Sequence, residues 1–232
     1  MLERRGQSRT KRARLAVAGL LCSMLGAITA QAEPVAVKQE AIPDEIWADM
    51  RGKSWHPNRG CPSRDRLVLL TVPFRNFAGQ TTLGQLVAAK SVAPAVSRIF
   101  SEIYRGAAFR IERMERVDKY GGDDDASMAA NNTSAFNCRP VAGSTRLSAH
   151  AFGVAIDVNP VQNPYVKGAD VEPPEGRAFD TLAKRKAAHE RGQHGIILAG
   201  GPVVSAFKQN GWKWGGDWTT MKDYQHFSTS GR

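Results

Sequence analysis

Ser148-Ala149-His150-Ala151-Phe152-Gly153-Val154-Ala155-Ile156-Asp157 sets a histidine, a glycine and an aspartate along a short alternating run. Phe152, Val154, Ile156 and Val158 alternate with Gly153, Ala155 and Asp157. That is the period of a strand with one core face and one face of small residues plus a carboxylate. A face carrying only Gly, Ala and Asp leaves space above it for a metal ion and a peptide. His150 and Asp157 are seven positions apart, an odd separation that would point them to opposite sides of a regular strand. The chain is therefore expected to bend between them, at Gly153. Far downstream, Asp223-Tyr224-Gln225-His226 adds a second histidine and a second carboxylate. Two imidazoles and one carboxylate make a three-ligand set that leaves a fourth position open, the arrangement of a hydrolytic zinc ion.

Outward from this stretch the pattern is mixed. Residues 67–72 form a short, apolar, β-branched run that reads as a buried strand ending at Pro73. Thr82 is expected to cap a helix that starts near Leu83 and keeps helical apolar spacing as far as Tyr104, with Pro94 as a break or as the first turn of a second helix. Residues 109–117 are read as an alternating run, which predicts a strand with one wet face. Residues 118–146 read as a long loop whose acidic run Asp123-Asp124-Asp125 lacks the spacing of a calcium loop and is expected to be solvated. A charged helix over 179–191 and a helix stopped by Gly211 complete the chain before the tryptophan-rich stretch 212–218. The expected class is α+β: a single domain, a central antiparallel sheet flanked by helices, and the zinc site in a cleft on that sheet.

Composition sets the wider bounds. The 232 residues are 42% hydrophobic and 23% charged, ordinary for a globular protein. Six basic residues from Arg4 to Arg14 precede an apolar run over 15–30, and Ala30-Gln31-Ala32 offers small residues for a signal-peptidase cut. The apolar run has about 16 residues, short of the roughly 20 that span a bilayer. Residues 1–32 are therefore read as a signal peptide, 33–66 as an N-terminal arm anchored by Trp47, Trp55 and Cys61, and 67–232 as the catalytic domain. No stable membrane insertion is expected after cleavage. The leader takes six basic residues and one acidic residue with it, so the formal charge drops from +10 to 26 basic against 21 acidic, near +5. A moderately basic protein suits anionic polymers, and no basic stripe interleaved with aromatics argues for nucleic acid. Cys61 and Cys138 remain in an oxidising compartment and are expected to pair, which would stabilise by roughly 4 kcal/mol on the chain-entropy account and fix the segment carrying Arg139.

Taken in order, Phe136-Asn137-Cys138-Arg139, Ser148-x-His150-x-x-Gly153-x-Ala155-x-Asp157, Gly211-Trp212-x-Trp214-Gly215-Gly216-x-Trp218 and Asp223-x-x-His226-Phe227 resemble the zinc D-Ala-D-Ala carboxypeptidase and L-Ala-D-Glu endopeptidase family of peptidoglycan metallopeptidases. The resemblance covers about the last 100 residues. It implies His150, Asp157 and His226 as ligands of one zinc ion and Asp223 as general base. Arg139 falls on the arginine that faces the cleft and binds the oxyanion or a substrate carboxylate. Ser148 and Trp214 fall on the substrate side. A hydroxyl bonded to nearby backbone is the plain alternative for Ser148, and core or cleft-wall packing is the commoner fate of such tryptophans. Asp at 223, where many carboxypeptidase members carry Glu, leans towards the endopeptidase branch.

The implied activity is hydrolysis of an amide bond in peptidoglycan stem peptides, in the periplasm or cell wall. Carboxypeptidase and endopeptidase action both stay open. The competing reading is a non-catalytic cell-wall binding or scaffold domain that retains the peptidase fold. Loss of a ligand or of the base would be its signature, and here all of them are present.

Overall fold

β2 (Leu67–Arg75) is the strand on which the fold is built, and its sequence LVLLTVPFR explains why. Val68, Leu70, Val72 and Phe74 face one core, with Val96, Ile99, Phe100 and Ile103 of helix α2 (Ala93–Gly106). Leu67 and Leu69, on the opposite face, join a second core with Ile42 and Met50. A strand buried on both faces reads as a continuous apolar run, the kind seen at 67–72. It continues through Pro73. β1 (Lys38–Glu40) covers one edge of β2 only as far as Thr71, so the proline sits where that edge is unpaired and a missing N–H is tolerated.

The helix expected from Leu83 is not formed. Residues Thr81–Ala89 are strand β3, paired antiparallel with β2 over its whole length. Turn chemistry decides this. The Asn76 side chain accepts from the Gln80 amide at 2.9 Å and Gly79 has φ 80°, which closes a hairpin and hands the following residues to the sheet. The glycine at 84 fits the same result, because a Cβ there would stand 2.5 Å from Cβ of Met114. α2 is the second helix of the two alternatives read there, with Pro94 in its first turn, and buries Ala93, Val96, Ile99, Phe100 and Ile103 on one face.

The computed structural model describes Met1, Leu2 and residues 36–231; the leader read over 1–32 lies, beyond its first two residues, outside them. Val35–Arg232 is one compact unit. The α+β class and the antiparallel pairing are as expected. Among the described residues the strands are shared among three three-stranded antiparallel sheets, in the orders β1-β2-β3, β10-β7-β8 and β6-β11-β9, and one parallel pair, β4-β5. The added strands are β4 (Arg113–Met114), β5 (Asn132–Thr133), β6 (Ala155–Asp157), β7 (Tyr165–Lys167), β8 (Asp170–Glu172), β9 (Lys213–Trp214), β10 (Lys222–Asp223) and β11 (His226–Ser228). Helices α1 (Asp44–Met50), α3 (Asp124–Ala129), α4 (Leu182–Glu190) and α5 (Pro202–Gln209) join α2 around them.

Two expectations change with this. Of residues 109–117 only Arg113 and Met114 enter a ladder, Glu112 lies at a bend and Val117 opens a 3-10 turn. The Ile111 N–H donates to the Arg75 carbonyl at 2.9 Å, and side chains take several of the other bonds: the Asn159 amide receives the Glu112 N–H and donates to the Arg110 carbonyl, and Asn132 does the same for Glu115. The loop expected at 118–146 contains α3, capped by Asp123 through the Ala126 amide at 3.1 Å, with Asp124 and Asp125 in its first turn where carboxylates suit the helix dipole. From the stretch read as an arm, Ile42 and Met50 enter the second core, and Trp47, Trp55 and Cys61 pack on it. Among the described residues no helix is long and apolar enough to cross a membrane.

Candidate functional site

Asp157 on β6 and His226 on β11 are direct cross-strand partners, so both side chains leave the same face of one antiparallel pair. His226 Nδ1 lies 3.0 Å from one Asp157 oxygen. His150 arrives from a different element, a 3-10 turn over Ala149–Phe152 that Ser148 caps by accepting the His150 N–H at 3.3 Å. The turn ends at Gly153, with φ 68°, where the sequence places the bend. Only glycine fits, because a Cβ would stand 2.6 Å from the Ala89 nitrogen, whose N–H donates to the Gly153 carbonyl at 2.9 Å. The bend brings His150 Nε2 to 3.1 Å from the other Asp157 oxygen and 3.2 Å from His226 Nδ1. Phe152, expected on the core face, is instead exposed by the same turn.

The three side chains are buried, and their ligand atoms all lie within 4.8 Å of one another. Tetrahedral ligands at zinc-like bond lengths are separated by about 3.4 Å, close to the spacings above. His150 Nδ1 lies 2.6 Å from the Ala135 carbonyl. Donation there leaves the lone pair of the neutral ring on Nε2, facing the cluster. His226 turns Nδ1 inward and leaves Nε2 buried without a hydrogen-bond partner among the described residues. The donor set fits a borderline metal such as zinc. Burial pushes the Asp157 carboxyl up, but His150 and then His226 outweigh it and hold Asp157 well below the usual carboxylate range. Burial likewise opposes charge on His150, and Asp157 outweighs it, so that imidazole is raised.

Asp223 reaches the site from β10, paired with Tyr165 of β7, and the link Tyr224-Gln225 carries the chain on to His226. That link is irregular, as the three-residue spacing requires, and it is held tightly. The Trp214 indole donates to the Tyr224 carbonyl at 2.9 Å, and the Val158 amide donates to Gln225 at 3.1 Å. One Asp223 oxygen is buried without a hydrogen-bond partner among the described residues. Burial, opposed by His226 and reinforced by Asp157 and Asp124, pushes the carboxyl up to about 7. Arg139, also within electrostatic reach of Asp223, is ion-paired with Asp124 and donates to the Pro140 carbonyl at 3.3 Å. Cys138, just before it, is disulfide-bonded to Cys61 with Cα atoms 5.9 Å apart.

The structure brings His150, Asp157 and His226 into contact and sets Asp223 and Arg139 around them; it places the other two differently. The Ser148 hydroxyl caps the turn of His150, the plain alternative read from the sequence. Trp214 is 4% exposed and belongs to the main core, the packing alternative read from the sequence, and its indole supports the segment before His226. Trp218 takes the place at the rim, half-buried, with its ring 5.6 Å from that of His226. Two further residues escaped the sequence reading. Asp124 was one of three adjacent acids with no sign of which would face Arg139. Arg185, in a helix that reads as solvated charge, is fully buried; it donates to Asn163 and the Gln162 and Ile197 carbonyls and stacks 4.1 Å from the Tyr224 ring centroid.

Residues 142–229 match the model of a family described as D-alanyl-D-alanine carboxypeptidase. The match contains the buried cluster and Asp223 and leaves Arg139 just outside, so it supports a carboxypeptidase-like peptidase fold over the stretch that carried the resemblance. No curated protein and no solved structure matches the chain.

Proposed function

We propose that this protein is a secreted zinc peptidase that hydrolyses an amide bond in peptidoglycan stem peptides, with 67–232 as its catalytic domain and the periplasm or cell wall as its place of action. The observation that carries the reading is the cross-strand Asp157–His226 pair completed by His150, three inward-facing ligand atoms beside the Asp223 carboxylate, one oxygen of which is buried with no hydrogen-bond partner among the described residues. His150 Nε2, His226 Nδ1 and Asp157 would hold the ion. Zinc bound there would supply Lewis-acid chemistry, activating a water and polarising the scissile carbonyl. The chain's own residues do the rest. Asp223 takes the proton of the attacking water and delivers it to the leaving amine, a role that suits a carboxylate poised near neutrality. Arg139 offers N–H donors where negative charge grows on the carbonyl oxygen, or where a substrate carboxylate binds. Trp218 walls the rim beside His226.

Carboxypeptidase and endopeptidase action share all of these roles and differ in the bond presented. Digestion of purified muropeptides by the mature protein, with and without a chelator and read by mass spectrometry, names that bond. The expected result is a single class of amide cleavage that the chelator abolishes and zinc restores. If protein with stoichiometric zinc cleaves no muropeptide and chelation alters only folding stability, the enzyme reading fails and a wall-binding module stands in its place.

A further inference from the structure

We infer that Asp124 is a positioning residue for the proposed hydrolysis, holding the Arg139 guanidinium at the wall of the His–Asp–His cluster. This rests on the peptidase reading and adds to it a residue outside the matched stretch. An arginine on a flexible stem loses about 2 kcal/mol of rotamer freedom when fixed, so a guanidinium that must meet a developing charge benefits from being held beforehand. Arg139 is held on two sides: one terminal nitrogen is ion-paired with Asp124, and the other donates to the Pro140 carbonyl at 3.3 Å. Its Nε is buried and has no partner among the described residues. The fork is thus anchored at its tip while a buried donor stays uncommitted.

Asp124 can act as an anchor because its own backbone is fixed. Asp123 caps α3, so Asp124 opens the first turn of that helix. Gly122 packs so closely on Lys53 that a Cβ would stand 2.4 Å from the Lys53 carbonyl oxygen. The Asn137 amide donates to the Gly122 carbonyl at 3.2 Å, and the Cys138 N–H donates to the Ser54 carbonyl at 2.8 Å. The acid loop and the arginine-bearing segment are therefore tied to each other and to residues 53–54 before either side chain is considered. The pair belongs to the site as well as to itself: the Ser148 N–H donates to the Arg139 carbonyl at 3.1 Å and the Asn137 N–H donates to the His150 carbonyl at 3.2 Å, which sets the arginine-bearing segment against the turn of His150.

The test is a double-mutant cycle in the zinc-loaded mature protein, assayed on muropeptides. Asp124→Asn is expected to lower kcat by about 10- to 100-fold with KM little changed, the scale of a misplaced catalytic group, while zinc content and Tm stay at wild-type values. Asp124→Glu should recover part of the loss. In an Arg139→Ala background Asp124→Asn should add nothing, because it acts through the missing guanidinium. Asp125→Asn, on the exposed side of the same turn, should leave turnover unchanged. Wild-type turnover in Asp124→Asn, losses that multiply across the cycle, or faster turnover, as a latch would give, each overturn the inference. A wild type with zinc but no activity sinks the functional reading instead. The positioning claim is then decided by the Arg139 guanidinium 15N–1H resonances, which should lose their protection in Asp124→Asn and overturn the claim if they do not.

Discussion

A general base must be ionised when it works, and burial holds the Asp223 carboxyl near 7. A cation bound by its neighbours would pull that value down, so turnover should rise with pH through the range below 7 and level off above it. Asp223→Ala should keep its zinc and lose turnover by about 100-fold or more; loss of zinc together with activity would make Asp223 a ligand or a support. The same residue sets a slope in the stability of the metal-free protein. Between its ordinary value of 3.8 and about 7 the native state keeps a proton that the unfolded state has released, so this group's contribution falls as pH rises through that window. Asp157 has the opposite sign: its carboxyl is held low, and the stability it brings above the usual carboxylate range is lost as pH falls. Denaturant titrations of chelated wild type and Asp223→Asn at several pH values should show the first slope only in the wild type; equal slopes would remove Asp223 as its source. That His150, Asp157 and His226 would lie together, with Asp223 near them, was legible in the sequence from residue type and order. The Asp124–Arg139 pair was not, since it is made by tertiary packing between segments with no shared period.

Among the elements, the turn at Gly153 decides the most. It converts an odd seven-residue spacing into a shared direction for His150 and Asp157, and it does so where the backbone of β3 leaves no room for a Cβ. Gly153→Ala should destabilise by about 1–3 kcal/mol from the left-handed backbone alone, more if β3 must give way, and should weaken zinc binding because His150 moves with the turn. Calorimetry and a competitive zinc titration check both, and unchanged zinc affinity would show that the turn does not place the ligand. This bend was legible, whereas the strand at 81–89 was not. Leu83, Leu86 and Val87 satisfy helical spacing, and only the hairpin chemistry of Asn76 and Gly79, outside that window, gives the segment to the sheet. Residues 109–117 mislead for another reason. The alternation read there holds only from Phe109 to Glu112 and breaks at Arg113-Met114; Asn132 and Asn159 serve as bonding partners, and no local pattern announces an asparagine so far away.

At the scale of the whole molecule, residues distant in sequence converge on one wall. The disulfide between Cys61 and Cys138 and the Ser54–Cys138 hydrogen bond tie the stretch read as an arm to the segment of Arg139. Arg185 ties α4 to the Tyr224 link. The α+β class was legible because apolar runs of both periods were present; the division into three small sheets was not, because strands of two or three residues carry too little pattern to be read. The sheet order β6-β11-β9 carries one more consequence. β11, the last strand in chain order among the described residues, lies between two strands made before it, and it brings His226. On the proposed zinc reading, a chain that has not yet placed β11 holds His150 and Asp157 but lacks the third ligand. In the proposed peptidase, competence to cut is therefore timed by chain order: it waits on the strand that carries His226.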